Sequence, residues 1–176
     1  VEEARQAIDT AIAYAAATGI PNVHVMAGFA AGKEAHATFV ANLHYACMMA
    51  ASQQITILVE PLNHYDAPGY FLSTTSQALN IMEEVAADNL RLMFDCYHVQ
   101  LMEGDLSHRL SELLPRIGHI QFASVPDRGA PDHGEINYEY IFKLIEKLGY
   151  TAPLGAEYKP IGNTDSTLAW MGELRR

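Results

Sequence analysis

The chain has 176 residues, of which 49% are apolar and 18% are charged, and its formal net charge is −10 at pH 7. This is the balance of a globular domain rather than of a disordered or fibrous chain. An acidic surface repels phosphate backbones, which argues against nucleic acid as a partner. No apolar run reaches the roughly 18 residues that a membrane span needs, so the sequence also predicts no membrane partner.

The N-terminal segment 1–5 is not a secretory signal, and its residues resemble the first turn of a helix already under way. We therefore expect the chain to be part of a longer one. Its two cysteines, Cys47 and Cys96, lie far apart and without the spacing of a metal or redox motif. We expect them to be reduced thiols and the protein to be cytoplasmic.

Short apolar runs alternate along the chain with longer segments of helical spacing. In chain order, the sequence predicts a helix at 2–18, a strand at 23–27, a helix at about 33–52, a strand at 55–59, a helix at about 73–87, a strand at 90–94, a helix at about 106–114, a strand at 119–123, a helix at about 138–148, a strand at 154–158 and a helix at about 167–175. Gly19 and Pro21 end the first helix, and the hydroxyl-rich segment 73–76 begins the third.

The spacing of the apolar residues predicts which face of each helix is buried. For the first three helices, the predicted buried residues are Ala4, Ile8, Ile12 and Ala15, then Phe39, Leu43, Cys47 and Ala50, then Ala78, Ile81, Met82 and Val85.

A leading helix followed by five strand–helix units predicts a parallel α/β sheet with right-handed crossovers. The strands are apolar throughout, which is typical of strands covered on both faces. Neither GxGxxG nor a Walker pattern follows any strand, which argues against a doubly wound nucleotide-binding fold. The alternative is a (β/α)8 TIM barrel, which needs eight units and about 250 residues. We therefore interpret 1–176 as a single domain that forms roughly the C-terminal five units, strands 4–8.

An arc of five strands leaves two sheet edges and part of an apolar interior uncovered. We expect about eighty to a hundred further N-terminal residues to complete the barrel. Pairing of the edges between copies, giving a homo-oligomer, is another way to cover them.

Four of the five predicted strands end in, or carry near their ends, a residue that can bind a metal: Glu60, Asp95, Gln121 and Glu157. Each one alone could equally be a helix cap or a solvated loop residue. In a barrel, however, the carboxyl ends of the strands converge on one mouth. Three carboxylates there repel one another unless a cation is bound. Because all-oxygen ligands favour Mg²⁺ or Mn²⁺ over zinc, we predict one of these divalent metals.

Several short segments together resemble the hydroxypyruvate isomerase family, which belongs to the xylose isomerase-like barrels. They are 58–63 (LVEPLN), 66–70 (DAPGY), 94–98 (FDCYH), 119–121 (HIQ), 134–138 (GEINY) and 155–158 (GAEY). The resemblance covers almost the whole chain, from the helix before the fourth barrel strand to the end. The motifs are specific jointly rather than singly.

The resemblance implies that Glu60, Asp95, Gln121 and Glu157 bind the metal, and that Glu60 and Glu157 are the pair that transfers protons. It also implies that His98 contacts substrate oxygens and that Arg128 faces the substrate. Many family members have Arg-His-Glu-Pro where this chain has Arg128-Gly129-Ala130-Pro131. This difference leaves the substrate preference open. His64 and His133 are interpreted as loop residues.

We therefore expect an isomerase, an intramolecular oxidoreductase that interconverts hydroxypyruvate and tartronate semialdehyde, or a related 2-oxo acid, through an enediolate. The metal would act as a Lewis acid, and no nucleotide cofactor is needed. One alternative is a ketose 3-epimerase acting on a sugar, although family epimerases typically have histidine in place of Gln121. A DNA-repair endonuclease of the related barrel class is a third alternative. It would need a histidine-rich zinc cluster and a basic face, and neither is visible in the sequence. A truncated, non-catalytic metal-binding chain is the non-enzyme alternative.

Overall fold

The computed structural model describes residues 1–173, in which helices and strands alternate. The helices are α1 (Glu2–Thr18), α2 (Gly32–Ala51), α3 (Thr75–Val85), α4 (Cys96–Met102), α5 (Leu106–Leu113), α6 (Tyr138–Lys147) and α7 (Trp170–Glu173). The strands are β1 (Asn22–His24), β2 (Thr56–Val59), β3 (Leu90–Asp95), β4 (Ile117–Phe122) and β5 (Leu154–Ala156). The chain divides into two compact units, Val1–Met93 and Phe94–Arg176, the second described as far as residue 173.

In the first unit, strands β1, β2 and β3 are parallel neighbours in chain order. His24 pairs with Leu58, and Val59 pairs with Leu92. Helix α2 connects β1 to β2, and α3 connects β2 to β3. Parallel neighbours require such crossovers because a tight turn can join only antiparallel strands. The predicted parallel α/β arrangement is therefore confirmed within this unit.

The predicted buried faces of the first three helices are confirmed, with Ala4 as the exception. The residues that are buried as predicted are Ile8, Ile12 and Ala15 of α1, Phe39, Leu43, Cys47 and Ala50 of α2, and Ala78, Ile81, Met82 and Val85 of α3. Ala4 is partly exposed, because it lies in the first turn of α1. Burying a side chain the size of Leu43 stabilises the fold by about 1.5–3 kcal/mol relative to leaving it exposed.

Helix α3 begins with the hydroxyl cap that the sequence predicts. Thr74 Oγ1 accepts a hydrogen bond from Gln77 N–H at 3.1 Å, and Gln77 Oε1 accepts one from Ser73 N–H at 3.1 Å. Such caps satisfy amide donors that have no partner within the helix. The helix ends at Val85, before the predicted Ala87, because Ala86 adopts a left-handed conformation with φ of 51°.

In the second unit, β4 and β5 are parallel neighbours, with Gln121 opposite Gly155. On the other side of β4, Phe122 anchors an aromatic cluster. Its ring lies 4.9–5.7 Å, centre to centre, from three rings of the following helices, namely Tyr138, Phe142 and Trp170. Alternation along β4 therefore separates an apolar packing face from a face that carries Gln121.

Other elements also differ from the sequence predictions. The structure contains α4, a short helix at Cys96–Met102 that the sequence analysis does not predict. Strand β1 ends at His24 rather than at residue 27, because Ala27 N–H donates to the Tyr70 hydroxyl at 2.8 Å instead of to a strand. At the C-terminus, a 3-10 turn at Thr164–Thr167 precedes α7, and the predicted helical residues 174 and 175 lie outside the described residues.

Both cysteines are buried free thiols, as the sequence predicts for reduced residues. Burial raises the pKa of the Cys47 thiol to about 11 and raises the pKa of Cys96 as well, so both remain protonated near neutral pH. Within residues 1–173, no helix is both long enough and apolar enough to cross a membrane.

Candidate active site

Asp95 links the end of β3 to the start of α4. Its Oδ1 accepts a hydrogen bond from Tyr97 N–H at 2.9 Å and so caps the helix. Its Oδ2 lies 3.7 Å from His98 Nε2, and both side chains are almost completely buried. The turn of helix returns His98 to the same side as Asp95, because residues three apart are neighbours on a helix. Helix α4, which the sequence analysis does not predict, is thus what pairs these two residues.

Glu157 follows β5 directly. Its N–H donates to Phe122 O at 3.1 Å, which extends the pairing of β4 with β5 by one residue. Asp95, His98 and Glu157 each offer one ligand atom, and these atoms lie within 4.8 Å of one another. Two carboxylates this close repel each other, so the arrangement favours a cation. Carboxylate oxygens and an imidazole are ligands that Mn²⁺ and related divalent metals accept.

The buried side-chain oxygen of Gln121 also bears on whether these residues fit a metal. A Cβ on Gly155 would lie 3.2 Å from Gln121 Cγ, so this glycine leaves room for the Gln121 side chain against β5, two residues before Glu157. Gln121 Oε1 is buried and has no hydrogen-bond partner in the part of the chain that the structure describes. Leaving a buried acceptor unsatisfied costs about 1–3 kcal/mol. A bound cation would satisfy it, so the donor set fits a divalent metal.

Arg128 places positive charge beside this cluster from the loop between β4 and α6. Its Nη2 lies 2.8 Å from Glu157 Oε2. The guanidinium carbon also lies 5.2 Å from the centre of the Tyr97 ring, within the range of a cation–π contact. Arg128 is therefore held between a carboxylate and an aromatic face, and it is largely shielded from solvent, with 18% of its side chain exposed.

Glu60 lies in the first unit, directly after β2, and is buried with an exposed fraction of 5%. Its Oε2 lies 3.8 Å from His24 Nδ1. Burial lowers the pKa of His24 to about 4, so this imidazole is neutral near pH 7. Burial also raises the pKa of Tyr70, and the nearby charge of Glu60 raises it further. Two side chains of the first unit near Glu60, His24 and Tyr70, are therefore neutral near pH 7.

His24 is a residue that the sequence analysis does not single out. It is the polar residue in the otherwise apolar run Val23-His24-Val25, and it lies on β1 next to β2. A single histidine within an apolar strand is the sequence signal for such a residue. Burying an imidazole costs free energy unless a partner or a function offsets that cost.

The structure brings together four of the predicted site residues within the second unit. Asp95, His98 and Glu157 form the cluster, and Arg128 binds Glu157. Gln121 lies on the adjacent strand, while Glu60 belongs to the first unit. Of the two loop histidines, His64 lies against Tyr65, with ring centres 4.0 Å apart and the ring planes tilted by 38°.

The whole described chain matches one family model. The xylose isomerase-like TIM barrel model aligns with residues 1–174, and the chain belongs to this family. The predicted resemblance is thereby confirmed, together with the barrel class of the fold.

Named relatives agree with this assignment. The chain is 42% identical over 179 residues to hydroxypyruvate isomerase of Escherichia coli strain K12, covering 99% of this chain and 69% of that protein. It is 43% identical over 171 residues to 2-oxo-tetronate isomerase of Cupriavidus necator, covering 95% of this chain and 66% of that protein. The chain thus spans about two thirds of the length of these relatives, and the expectation of a family of isomerases is confirmed.

A solved structure is also similar. The crystal structure of an AP endonuclease, family 2, from Brucella melitensis superposes with a TM-score of 0.93 at 40% identity. The match covers 98% of this chain and 68% of that one. The fold of this chain is therefore that of a solved member of the same barrel class.

Proposed function

We propose that this chain carries the metal-binding and proton-transferring part of an isomerase active site, for hydroxypyruvate and tartronate semialdehyde or a related 2-oxo acid. The observation that carries the proposal is the cluster of Asp95, His98 and Glu157 with Arg128 on its edge. Such a cluster favours a bound cation, and the arginine suits a substrate carboxylate. The class of reaction is supported by a hydroxypyruvate isomerase at 42% identity and a 2-oxo-tetronate isomerase at 43% identity.

The proposed metal ligands are Glu60, Asp95, Gln121 and Glu157, and the proposed metal is Mg²⁺ or Mn²⁺. Glu60 follows β2 and Asp95 ends β3, and these two strands are parallel neighbours in the register Val59 with Leu92. Their positions at the carboxyl ends of adjacent strands support a shared role. When bound, the metal would polarise the substrate carbonyl as a Lewis acid.

The chain's own residues would then divide the proton transfer. Glu157 and Glu60 are the proposed pair, one taking the proton from the hydroxyl-bearing carbon and the other returning a proton to the adjacent carbon, through an enediolate. The proton of the original hydroxyl passes to the former carbonyl oxygen, so that the hydroxyl and carbonyl groups exchange positions. His98, buried beside Asp95, would donate to a substrate oxygen. Arg128 would bind the carboxylate, and its contact with Glu157 would also orient that carboxyl group. No nucleotide cofactor takes part in this scheme.

A four-carbon 2-oxo acid is the second candidate substrate. Gly129 and Ala130 follow Arg128, so this loop carries small residues where many family members carry histidine and glutamate. This difference in the loop leaves the choice between a three-carbon and a four-carbon 2-oxo acid open. The 43% identical 2-oxo-tetronate isomerase of Cupriavidus necator supports this candidate.

The two alternative functions, a ketose 3-epimerase and a DNA-repair endonuclease, have less support. Gln121 stands where epimerases of the family have histidine, and the net charge of −10 disfavours a DNA partner. We further propose that the five strands correspond to strands 4–8 of the barrel in one domain. The cytoplasmic location and the homo-oligomer stay predictions.

The test is a substrate screen of the protein stripped of metal by chelation and then reloaded with Mg²⁺ or Mn²⁺. Hydroxypyruvate, four-carbon 2-oxo acids, neutral ketoses and abasic-site DNA are offered in turn. We expect interconversion of a 2-oxo acid with its aldehyde isomer, dependent on added metal, with deuterium entering the product carbon in D₂O. Turnover of ketoses or cleavage of DNA with no 2-oxo acid isomerised would overturn the proposal.

A further inference from the structure

The backbone of Arg128 adopts an unusual conformation that its neighbours hold in place. Its φ is 56°, in the left-handed region, which costs a non-glycine residue roughly 1–2 kcal/mol. Its N–H donates to Ser124 O at 2.9 Å, and its carbonyl accepts from Lys159 N–H at 2.7 Å. Lys159 lies two residues after Glu157, so the loop is tied to the segment that carries its ion-pair partner.

Side chains from both sides of Arg128 close the loop around it. Asp127 Oδ1 accepts from Gly129 N–H at 3.1 Å, and Asp127 Oδ2 lies 2.8 Å from His133 Nε2. The other ring nitrogen, Nδ1, lies 2.7 Å from Asp132 Oδ1. His133 therefore bridges the residue before Arg128 and a residue four positions after it, and it contacts no member of the metal cluster in these bonds.

The contact between Asp127 and His133 requires a glycine at position 129. A Cβ on Gly129 would lie 2.9 Å from Asp127 Oδ2 and 3.0 Å from His133 Cε1, which is too close for the bridge to form. A Cβ on Gly134, which has φ of 86°, would collide with the carbonyl oxygen of Val125. The sequence of this loop is therefore matched to the Asp127–His133 contact rather than being an arbitrary surface turn.

The charges agree with the geometry. The hydrogen bond with Asp127 is the main cause that raises the pKa of His133, followed by the hydrogen bond with Asp132. The hydrogen bond with His133 is the main cause that lowers the pKa of Asp127. Both aspartates contact His133, and the bridge is an ion pair at pH values below the raised pKa of His133.

We propose that the Asp127–His133 bridge is a positioning device for Arg128, fixing the loop so that the guanidinium faces Glu157 and the carboxylate of a 2-oxo acid. The substrate half of this inference rests on the proposed function. His133 and Asp127 are positioning residues, since they act through Arg128 rather than on the substrate. Exposed ion pairs are individually weak, so the expected effect is moderate.

Two substitutions break the bridge by different means. His133→Ala removes the imidazole, and Gly129→Ala inserts a methyl group between Asp127 and His133 while the φ of Gly129 stays outside the left-handed region. The matched control is His108→Ala, which removes an exposed histidine of α5 that lies 2.7 Å from Asp105, the residue before that helix. The His108–Asp105 contact is also an exposed histidine–aspartate pair, but it lies outside the Arg128 loop.

The first readout is the Nε–Hε signal of Arg128 in ¹⁵N NMR, identified by its loss in Arg128→Lys. We expect both bridge variants to shift and broaden this signal and the control to leave it unchanged. The second readout is kinetic. We expect KM for hydroxypyruvate to rise by about twofold to fivefold with kcat changing less, because carboxylate binding acts on the ground state and the transition state alike.

A double-mutant cycle then decides whether His133 acts through Arg128. In the Arg128→Ala background, His133→Ala should cause no further rise in KM. Additive losses, or an unmoved Arg128 signal in both bridge variants, overturn the inference. If the protein isomerises no 2-oxo acid at all, the proposed function fails while the NMR comparison still decides whether the bridge positions Arg128.

Discussion

Arg128 Nη2 lies 2.8 Å from Glu157 Oε2, so the loop after β4 and the segment after β5 meet in a direct ion pair. One carboxylate thereby faces both a guanidinium and the ligand atoms of Asp95 and His98. The arginine holds the carboxyl group in one orientation, since charge-assisted hydrogen bonds are short and directional. Glu157 is therefore both the residue on which the proposed chemistry depends and a partner of the residue proposed to bind substrate.

Glu157→Gln separates the role of Glu157 as a ligand from its role as a base. The amide keeps an oxygen for the metal but cannot accept the substrate proton. We expect Mn²⁺ binding, measured by calorimetry, to weaken modestly, while kcat for hydroxypyruvate falls by at least about a hundredfold, the scale of a general base.

The control for that experiment is Glu139→Gln. Glu139 is an exposed acid that pairs with Lys143 at 2.6 Å on α6, outside the cluster. It should alter neither metal binding nor kcat. Turnover retained in Glu157→Gln would show that Glu157 is a ligand without a role in proton transfer.

Thr74→Ala tests the cap of α3. The Thr74 hydroxyl accepts from Gln77 N–H, and its loss leaves that amide without its capping partner. We expect the free energy of unfolding, from urea titration, to fall by about 0.5–2 kcal/mol. Ser76→Ala, two residues later in the first turn of the helix, is the matched control and should change stability by less. Equal effects would mean that the hydroxyl of Thr74 contributes no capping energy.

Much of the fold follows from periodicity, and the reasons for the exceptions are local. The faces of α1, α2 and α3 are predictable because burial forces apolar residues to recur with the helical period. Helix α4 escapes prediction because its seven residues are too few to show that period, and its start depends on the capping bond between Asp95 and Tyr97. Short helices are specified by such contacts more than by composition.

The candidate site shows the same division. Positions at strand ends point to Asp95, Gln121 and Glu157, because barrel strands end at one mouth. The pairing of Arg128 with Glu157 is not visible in the sequence. It depends on the left-handed backbone of Arg128, on the hydrogen bond that Arg128 N–H donates to Ser124 O, and on the one that Lys159 N–H donates to Arg128 O. His133 likewise reads as a loop residue until its distances to Asp127 and Asp132 are known.

The Asp127–His133 bridge makes stability depend on pH in a defined window. The pKa of His133 is raised in the folded state. Its contribution to the free energy of unfolding is therefore complete below the ordinary histidine pKa of about 6.5 and is lost as pH rises through the raised pKa. The pKa of Asp127 is lowered, so its contribution is complete above the ordinary value of about 3.9 and is lost as pH falls through the lowered one. The bridge is therefore complete between about pH 4 and 6.5.

This pH dependence can be measured by comparing the protein with His133→Gln in urea unfolding at pH 5.5 and pH 9. We expect the difference in stability between them to be larger at pH 5.5. An NMR titration of His133 gives an independent check, and Asp127→Asn should move its midpoint downwards. A midpoint that stays in place would contradict the assignment of the raised pKa to this contact.

Arg128→Ala tests how the site recognises a substrate carboxylate. Hydroxypyruvate is an anion, and it would enter a cluster that already holds Asp95 and Glu157. We expect kcat/KM for hydroxypyruvate to fall by about 1.5–3 kcal/mol, the range for hydrogen bonds to charged groups. Arg128→Lys should recover part of this loss, because an ammonium keeps the charge but cannot form two parallel hydrogen bonds to a carboxylate.

The comparison with a neutral ketose separates the two roles of Arg128, measured as kcat/KM for both substrates in the wild type, Arg128→Ala and Arg128→Lys. Any activity on the ketose should fall much less than activity on hydroxypyruvate, since the ketose has no carboxylate for the guanidinium to bind. The contact with Glu157 is present for either substrate and accounts for whatever loss they share. Equal losses on both would show that Arg128 acts only by orienting Glu157, and the preference for a 2-oxo acid over a sugar would then lose its structural basis.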